Sequence, residues 1–242
     1  DFTSDSTPTL IGTADAGSTI TLLVDGVSVA ASSPLTQDVY DITATTLADG
    51  VHSLTTTATD VAGNSSAASA ALDITVDTTA PAAPGTPDLD AASDSGSASD
   101  DDITNNTALT VSGTAEAGSA IALTSDVAGA VGTTAADGSG NWSITTGTLT
   151  EAVHTLTATA TDVSGNTSTN SAGLSVTIDA TAPAVPSTPD LASSSDLGSS
   201  STDDFTSDST PTLIGTADAG STITLLVDGV SVAASSPLTQ DV

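Results

Sequence analysis

An aspartate-rich loop occurs twice in the chain and holds its densest group of metal-binding side chains. Residues 94–102 read DSGSASDDD and residues 196–204 read DLGSSSTDD. Calcium takes about six to eight oxygen ligands from carboxylates, carbonyls and water, and small residues between acids let a chain wrap around one ion. The positions shared by both copies are the expected ligands: Asp94, Gly96, Asp101 and Asp102, with Asp196, Gly198, Asp203 and Asp204. The loop lacks the terminal Glu of an EF-hand, and a solvated, flexible acidic loop is the alternative.

A second group of candidate ligands is distant in sequence but predicted to converge at one end of a domain. If each domain has seven β-strands, the loops and turns around Glu116, Asp137 and Asp162 lie at the end where the chain enters that domain. They would face Asp77 at the exit of the preceding domain. The expected calcium ligands are Asp77, Glu116, Asp137, Asp162 and Asn166 at this junction, Asp179 and Asp218 at the next, and Asp15, Asp60 and Asn64 at the entrance of the first domain.

Two observations qualify this second site. Asx residues and glycine favour turns by themselves, so Asp162 and Asn166 have the alternative role of only closing a turn. The first domain has SPLTQDVYD at residues 33–41 where the next has DGSGNWS at 137–143, so one acidic position is predicted to be missing there.

The remaining reactive side chains do not indicate catalysis. His52 and His154 begin equivalent strands, which is typical of structural histidines, and no recurring pair of nucleophile and base exists. Paired acids for glycoside chemistry need a concave apolar pocket, which shallow β-domains lack. We therefore predict no enzyme. Threonine-rich strand faces have glycan binding as an alternative role, but β-propensity explains them better.

Composition excludes several partners. The chain has 30 acidic residues, no Lys or Arg, and a formal net charge of −30. Nucleic acid and anionic membrane surfaces require basic side chains, so neither is a predicted partner. No apolar run approaches the roughly 20 residues of a membrane span, so membrane insertion is not predicted either. Because Cys is absent, neither disulfides nor a thiolate zinc site stabilise the fold.

The chain is a tandem array. Residues 1–39 recur unchanged as 204–242, an offset of 203, and a weaker copy begins at Asp102. Two unlike units therefore alternate. Such an array is a stack of similar structural units.

Strand patterns define the predicted fold. Six β-rich runs at 108–114, 119–124, 130–134, 141–145, 154–161 and 173–178 are separated by turn signals. The Pro-rich run 81–89 supplies a seventh, since Pro is tolerated on an edge strand. An odd number of strands places entrance and exit at opposite poles, as a linear string requires. The fold class is all-β, with seven-stranded immunoglobulin/fibronectin-type sandwiches joined end to end.

The predicted boundaries follow from this frame. Residues 1–77 form a repeat without its first strand, residues 78–179 a complete repeat, and residues 180–242 the beginning of a third. Trp142 and Tyr40 occupy equivalent positions and are predicted to fill the two cores.

Several motifs resemble the bacterial immunoglobulin-like repeat found in the extension region of giant repeats-in-toxin adhesins and biofilm proteins. They are GTAEAGSAIALT at 113–124, DGSGNWS at 137–143, HTLTATATDVSGN at 154–166 and VTIDATAPAVP at 176–186. The resemblance implies a calcium-rigidified stalk, exported by type I secretion and held on the bacterial cell surface.

The expected function is therefore mechanical. The repeats would extend a distal binding domain from the cell, with neighbouring repeats of the chain as partners through shared calcium and lateral self-association as a further contact. The alternatives are a subunit of an extracellular filament and a glycan- or ice-binding module.

Overall fold

The computed structural model describes residues 1–96, 98–200 and 203–235, and within them every regular element is a β-strand. By compactness the chain divides into two units, Asp1–Ala180 and a second that begins at Thr181. No helix in the described residues is long and apolar enough to cross a membrane.

The first domain holds seven strands. They are β1 (Phe2–Thr3), β2 (Thr9–Thr13), β3 (Thr19–Val24), β4 (Val27–Ala31), β5 (Val39–Thr43), β6 (Gly50–Thr59) and β7 (Leu72–Val76). One sheet has the order β1-β7-β6-β3-β4 and the other pairs β2 with β5. Leu22 and Leu54 lie in the core, with Tyr40 packed against it as predicted.

The middle domain is a complete sandwich. Its strands are β8 (Asp88–Leu89), β9 (Ile103–Thr104), β10 (Thr110–Thr114), β11 (Ala120–Ser125), β12 (Gly129–Ala135), β13 (Asn141–Thr145), β14 (Ala152–Thr161) and β15 (Leu174–Ile178). A three-stranded sheet, β13-β10-β8, faces a five-stranded sheet, β12-β11-β14-β15-β9. All six predicted runs are strands, because alternating Thr and apolar residues put one face in the core. Trp142 is buried there.

The Pro-rich segment forms an edge of the sandwich. Only Asp88–Leu89 is a regular strand, but the Gly85 amide also donates to the Thr114 carbonyl at 2.8 Å. Pro81, Pro84 and Pro87 are buried, which matches the three-residue period of a polyproline helix. This segment therefore lies along β10, and proline interrupts its hydrogen bonding.

The loop after β8 crosses to the opposite sheet. It ends in β9, which pairs parallel with the end of β15 through Ile103↔Thr177 and Thr104↔Ile178. The prediction of seven strands missed β9 because two residues carry no periodicity. This crossing places the end of the loop, at Asp102, beside the exit of the domain.

The unit that begins at Thr181 contains β16 (Asp190–Leu191), β17 (Leu213–Ile214), β18 (Thr224–Val227) and β19 (Val230–Ala234). Its β18–β19 hairpin repeats the register shift of β3–β4. Both turns have an Asp-Gly pair at positive φ, Asp25 and Asp228 at 53° and 51°, as a type I′ turn requires. The hairpin is therefore locally encoded, although Val24 is 6% exposed and the equivalent Val227 51%.

Candidate metal centre and the first domain junction

The loop between β8 and β9 brings acidic side chains together around a buried carboxylate. Asp94 is 6% exposed, and its Oδ2 accepts a hydrogen bond from the Asp102 amide at 3.3 Å. Its Oδ1 is buried and has no hydrogen-bond partner in the described structure. Burial raises the pKa of Asp102, and repulsion from the carboxylates of Asp94, Asp88 and Asp101 raises it further. The loop therefore gathers negative charge without a counter-charge.

Backbone geometry and local hydrogen bonds define the shape of this loop. Gly96 and Asp102 have positive φ of 124° and 56°, a conformation that costs a side-chain-bearing residue like Asp102 energy. The Thr104 hydroxyl donates to the Ser93 carbonyl at 2.6 Å. The Ser95 hydroxyl donates to Asn105 Oδ1 at 2.7 Å. These bonds hold the start of the loop against its end.

The second copy of the loop repeats the same features. Asp196 is 5% exposed, and its Oδ1 again has no partner among the described residues. Asp204 has a positive φ of 58°. A Cβ placed on Gly198 would lie 3.5 Å from Asp203 Oδ1, so that carboxylate lies against the glycine. Two copies with different intervening residues thus bury the same unpaired carboxylate.

At the junction of the first and middle domains, the turn 162–166 contacts the end of the first domain. Asn166 Nδ2 donates to the Asp77 carbonyl at 2.7 Å and to Asp162 Oδ2 at 2.9 Å. Asp162 Oδ1 accepts the amides of Ser164 and Asn166 at 2.8 and 2.9 Å. These bonds lower the pKa of Asp162, that of Asn166 most strongly. The structure therefore brings Asp77, Asp162 and Asn166 together, and both Asp162 oxygens already accept hydrogen bonds.

Glu116 and Asp137 lie in adjacent loops at the same pole. The Ala115 amide donates to the Gly140 carbonyl at 2.8 Å, which joins the two loops. Asp137 Oδ1 accepts the amides of Ser139 and Asn141, and the Asn141 and Ser139 amides lower its pKa. Asp137 thus closes its own turn as Asp162 does.

The first domain has the same turn at its own entrance. Asp60 Oδ1 accepts the amides of Ala62 and Asn64, and Asn64 Nδ2 donates to Asp60 Oδ2 at 2.9 Å. Here Asp38 Oδ1 accepts the Ala16 amide at 2.9 Å, next to Asp15. The loop 33–41 was predicted to lack the acidic position of 137–143, but Asp38, from another position in that loop, brings a carboxylate to this pole.

The two ligands expected at the following junction, Asp179 and Asp218, belong to different compact units. The Asp179 amide donates to the Thr104 carbonyl at 2.9 Å, which fixes the exit of the middle domain to β9. Asp218 Oδ2 accepts the Ala184 amide at 2.7 Å. Across residues 1–96, 98–200 and 203–235, no three Asp, Glu or His side chains already surround a common metal position. Calcium binding at all of these residues stays a prediction.

The histidines have structural partners. His154 is fully buried, with Nδ1 2.9 Å from Ser125 Oγ and Nε2 2.9 Å from the Thr150 carbonyl oxygen. His52 Nδ1 lies 2.8 Å from Asp25 Oδ2. The hydrogen bond to Asp25 is the main cause of a raised pKa at His52.

Sequence reasoning missed two acids. Asp88 lies close enough to Asp102 to raise its pKa, and the repeated TPDL of 86–89 and 188–191 was a signal for it. Asp49 accepts the hydroxyl groups of Thr78 and Thr79 at 2.8 and 2.9 Å. The sequence did contain a signal for Asp49, because both repeats have an acid three residues before the equivalent histidine, Asp49 before His52 and Glu151 before His154.

Several solved structures are distantly similar to the chain. The fibronectin(III)-like modules of Clostridium thermocellum CbhA share 16% identity at a TM-score of 0.45, over 73% of this chain and 87% of that chain. The human OSCAR ligand-binding domain shares 13% at 0.32, over 72% and 92%. The BSP domain of a biofilm associated protein shares 21% at 0.29, over 75% and 29%. These TM-scores are too low to assign a function.

No curated protein matches the chain. A family model described as "Bacterial Ig-like domain" matches residues 1–78 and again residues 80–180. The two matches cover both sandwich domains of the first unit. Because they span most of the sequence, the chain belongs to the bacterial Ig-like domain family.

Proposed function

We propose that these repeats are the extender region of a large bacterial surface adhesin, and that calcium stiffens them. The observation that carries the calcium assignment is the buried, unpartnered Oδ1 of Asp94 in a loop of further acids. An ionised carboxylate buried without a partner is costly, so such groups coordinate metals or pair with cations. The chain has no Lys or Arg to serve instead.

The donor set fits calcium. Asp88, Asp94, Asp101 and Asp102 offer carboxylate oxygens, which are the hard ligands that this ion prefers. Their mutual repulsion is expressed in the raised pKa of Asp102. A bound calcium ion would supply the missing positive charge. The matching loop with the buried Asp196 would bind a second ion.

A calcium ion bound in the loop between β8 and β9 would stiffen the exit of the middle domain, because the loop ends beside it. The Thr177 amide donates to the Asp102 carbonyl at 2.9 Å, and the Asp179 amide donates to the Thr104 carbonyl at 2.9 Å. The loop end is therefore hydrogen-bonded to the last residues of the middle domain. Ordering Asp102 would order the strand by which the chain leaves the domain.

The wider biological setting is part of the proposal. Millimolar extracellular calcium saturates sites with a Kd of about 10⁻⁴ to 10⁻³ M. Repeats whose acidic loops stay unordered in calcium-poor cytoplasm and become ordered outside, where calcium is present, suit type I secretion of a repeats-in-toxin adhesin. The partners are then neighbouring repeats of the same chain, and the location is the cell surface. Domains of this family are typically non-catalytic, and a mechanical role requires no active site.

Calcium titration by calorimetry and small-angle scattering test the proposal together. We expect the chain to bind calcium and its scattering profile to show a stiffer rod with calcium than with chelator. Asp94→Ala should remove one calcium equivalent. Asp90→Ala is the matched control, because the second copy has Ala192 at this position, and it should bind as the wild type does. Absence of binding heat, or an unchanged scattering profile, would refute a calcium-stiffened extender.

A further inference from the structure

Asp49 of the first domain and Asn166 of the middle domain both hydrogen-bond to the three-residue linker 77–79. We propose that they form a hydrogen-bond clamp that holds the first and middle domains in a defined orientation when calcium is absent. Asp49 and Asn166 are then positioning residues of the junction. The inference goes beyond the proposed calcium stiffening, since it assigns this junction a rigidity of its own.

Asp49 holds the linker to the first domain. Its Oδ1 accepts the amide and the hydroxyl of Thr78 at 3.0 and 2.8 Å. Its Oδ2 accepts the hydroxyl of Thr79 at 2.9 Å. The Thr78 hydroxyl contributes most to the lowered pKa of Asp49. One carboxylate thus accepts three hydrogen bonds from two successive residues, which fixes both side chains and the backbone between them.

The linker also bonds to itself and to the first strand of the first domain. The Asp77 amide donates to the Thr3 carbonyl at 3.0 Å. Asp77 Oδ1 accepts the Thr79 amide at 3.0 Å. Every backbone amide of the linker therefore has a partner. Such a segment lacks the free rotations that let domains move on a flexible linker.

Asn166 holds the linker to the middle domain. Its Nδ2 has two N–H donors; one bonds Asp162 within the turn and the other bonds the Asp77 carbonyl at 2.7 Å. The equivalent turn 60–64 has only the internal bond and is exposed throughout, whereas Ser164 at the tip of turn 162–166 is 8% exposed. The contact between domains accounts for this difference.

The residues that form the clamp differ between the two kinds of repeat. Glu151 stands where the first domain has Asp49, and its Oε1 accepts the Ala180 amide at 3.2 Å. Ala180 occupies the place of Thr78, so one hydroxyl donor of the first clamp is missing there. The two kinds of junction therefore differ in the chemistry of their linkers.

A pair of spin labels measures the clamp directly. The chain has no Cys, so Ser33→Cys and Val127→Cys would label exposed loops of the two domains specifically. We expect a narrow distribution of label distances in EDTA that calcium leaves unchanged. A distribution that is broad in EDTA and narrows with calcium would overturn the proposal. Calorimetry would still decide calcium binding, so the two proposals fail separately.

Two matched pairs of variants identify the residues responsible. Asp49→Ala should broaden the distance distribution in EDTA, whereas Asp73→Ala, the same charge change on β7, should not. Asn166→Ala should broaden it, whereas Asn64→Ala, which removes the same bond within a turn but no contact between domains, should not. Circular dichroism at low temperature checks that each variant stays folded. Distributions as narrow as wild type in both Asp49→Ala and Asn166→Ala would refute the clamp.

Discussion

Replacing Asp94 by Asn is predicted to have opposite effects with and without calcium. In EDTA, the change removes a buried charge whose repulsion contributes to the raised pKa of Asp102. The amide oxygen of Asn can still accept the hydrogen bond that Asp94 Oδ2 accepts from the Asp102 amide. Its nitrogen replaces the unpartnered acceptor by a donor, in a loop whose other ionisable side chains are carboxylates. The variant should therefore be more stable than the wild type in EDTA.

The expected magnitudes follow from burial and mass action. A buried polar atom without a partner costs about 1–3 kcal/mol, which bounds the gain of Asp94→Asn in chelator. For a Kd of about 0.1–1 mM, roughly 10 mM calcium stabilises the wild type by about 1.4–2.7 kcal/mol. For a domain of this size that corresponds to a rise in Tm of roughly 6–20 °C. The variant should lose most of this rise.

Trp142 fluorescence follows the middle domain alone, because it is the single Trp of the chain and lies in that core. Thermal unfolding in EDTA and in calcium gives four melting temperatures for wild type and Asp94→Asn. Asp90→Ala, the change that the second copy carries naturally, should keep the calcium response. The reasoning is refuted if Asp94→Asn melts below the wild type in EDTA and still gains the full stabilisation from calcium.

Two further predictions concern the packing and pH dependence of single residues. A Cβ at Gly113 would lie 2.5 Å from the Trp142 ring, so Gly113→Ala should lower the free energy of unfolding by about 1–3 kcal/mol. Urea unfolding measures this change. The control Gly138→Ala, which has open space at its Cβ, should be nearly neutral. His52 should titrate above its ordinary pKa of 6.5 by NMR. Because its folded pKa is raised, its stabilising effect is full below pH 6.5 and is lost as pH rises through the folded pKa. The first domain should therefore have a lower Tm at pH 8 than at pH 6. His52→Gln should remove the part of this pH dependence that comes from His52. A His52 pKa at or below 6.5 would contradict the hydrogen bond to Asp25 as its cause.

Strand positions and repeats were predictable because they depend on local signals. Alternating Thr and apolar residues predicted β10 to β15, since period 2 places one face in the core wherever such a strand lies. The hairpin turns at Asp25 and Asp228 adopt the same positive φ in two different environments. The acidic loops were also visible, since an excess of Asp without Lys or Arg is a property of composition.

Long-range contacts decided what these residues do. Asp94 and Asp90 look alike in the sequence, but Asp94 is buried and accepts a hydrogen bond from the Asp102 amide across the loop from β8 to β9. The sequence of turn 162–166 predicts a closed Asx turn, but not that Asn166 also donates to the Asp77 carbonyl of the preceding domain. The sequence by itself determined the strands, the repeats and the negative charge. The tertiary structure decided which carboxylates are buried, paired or bonded to the linker, because those outcomes depend on contacts between residues far apart in the chain.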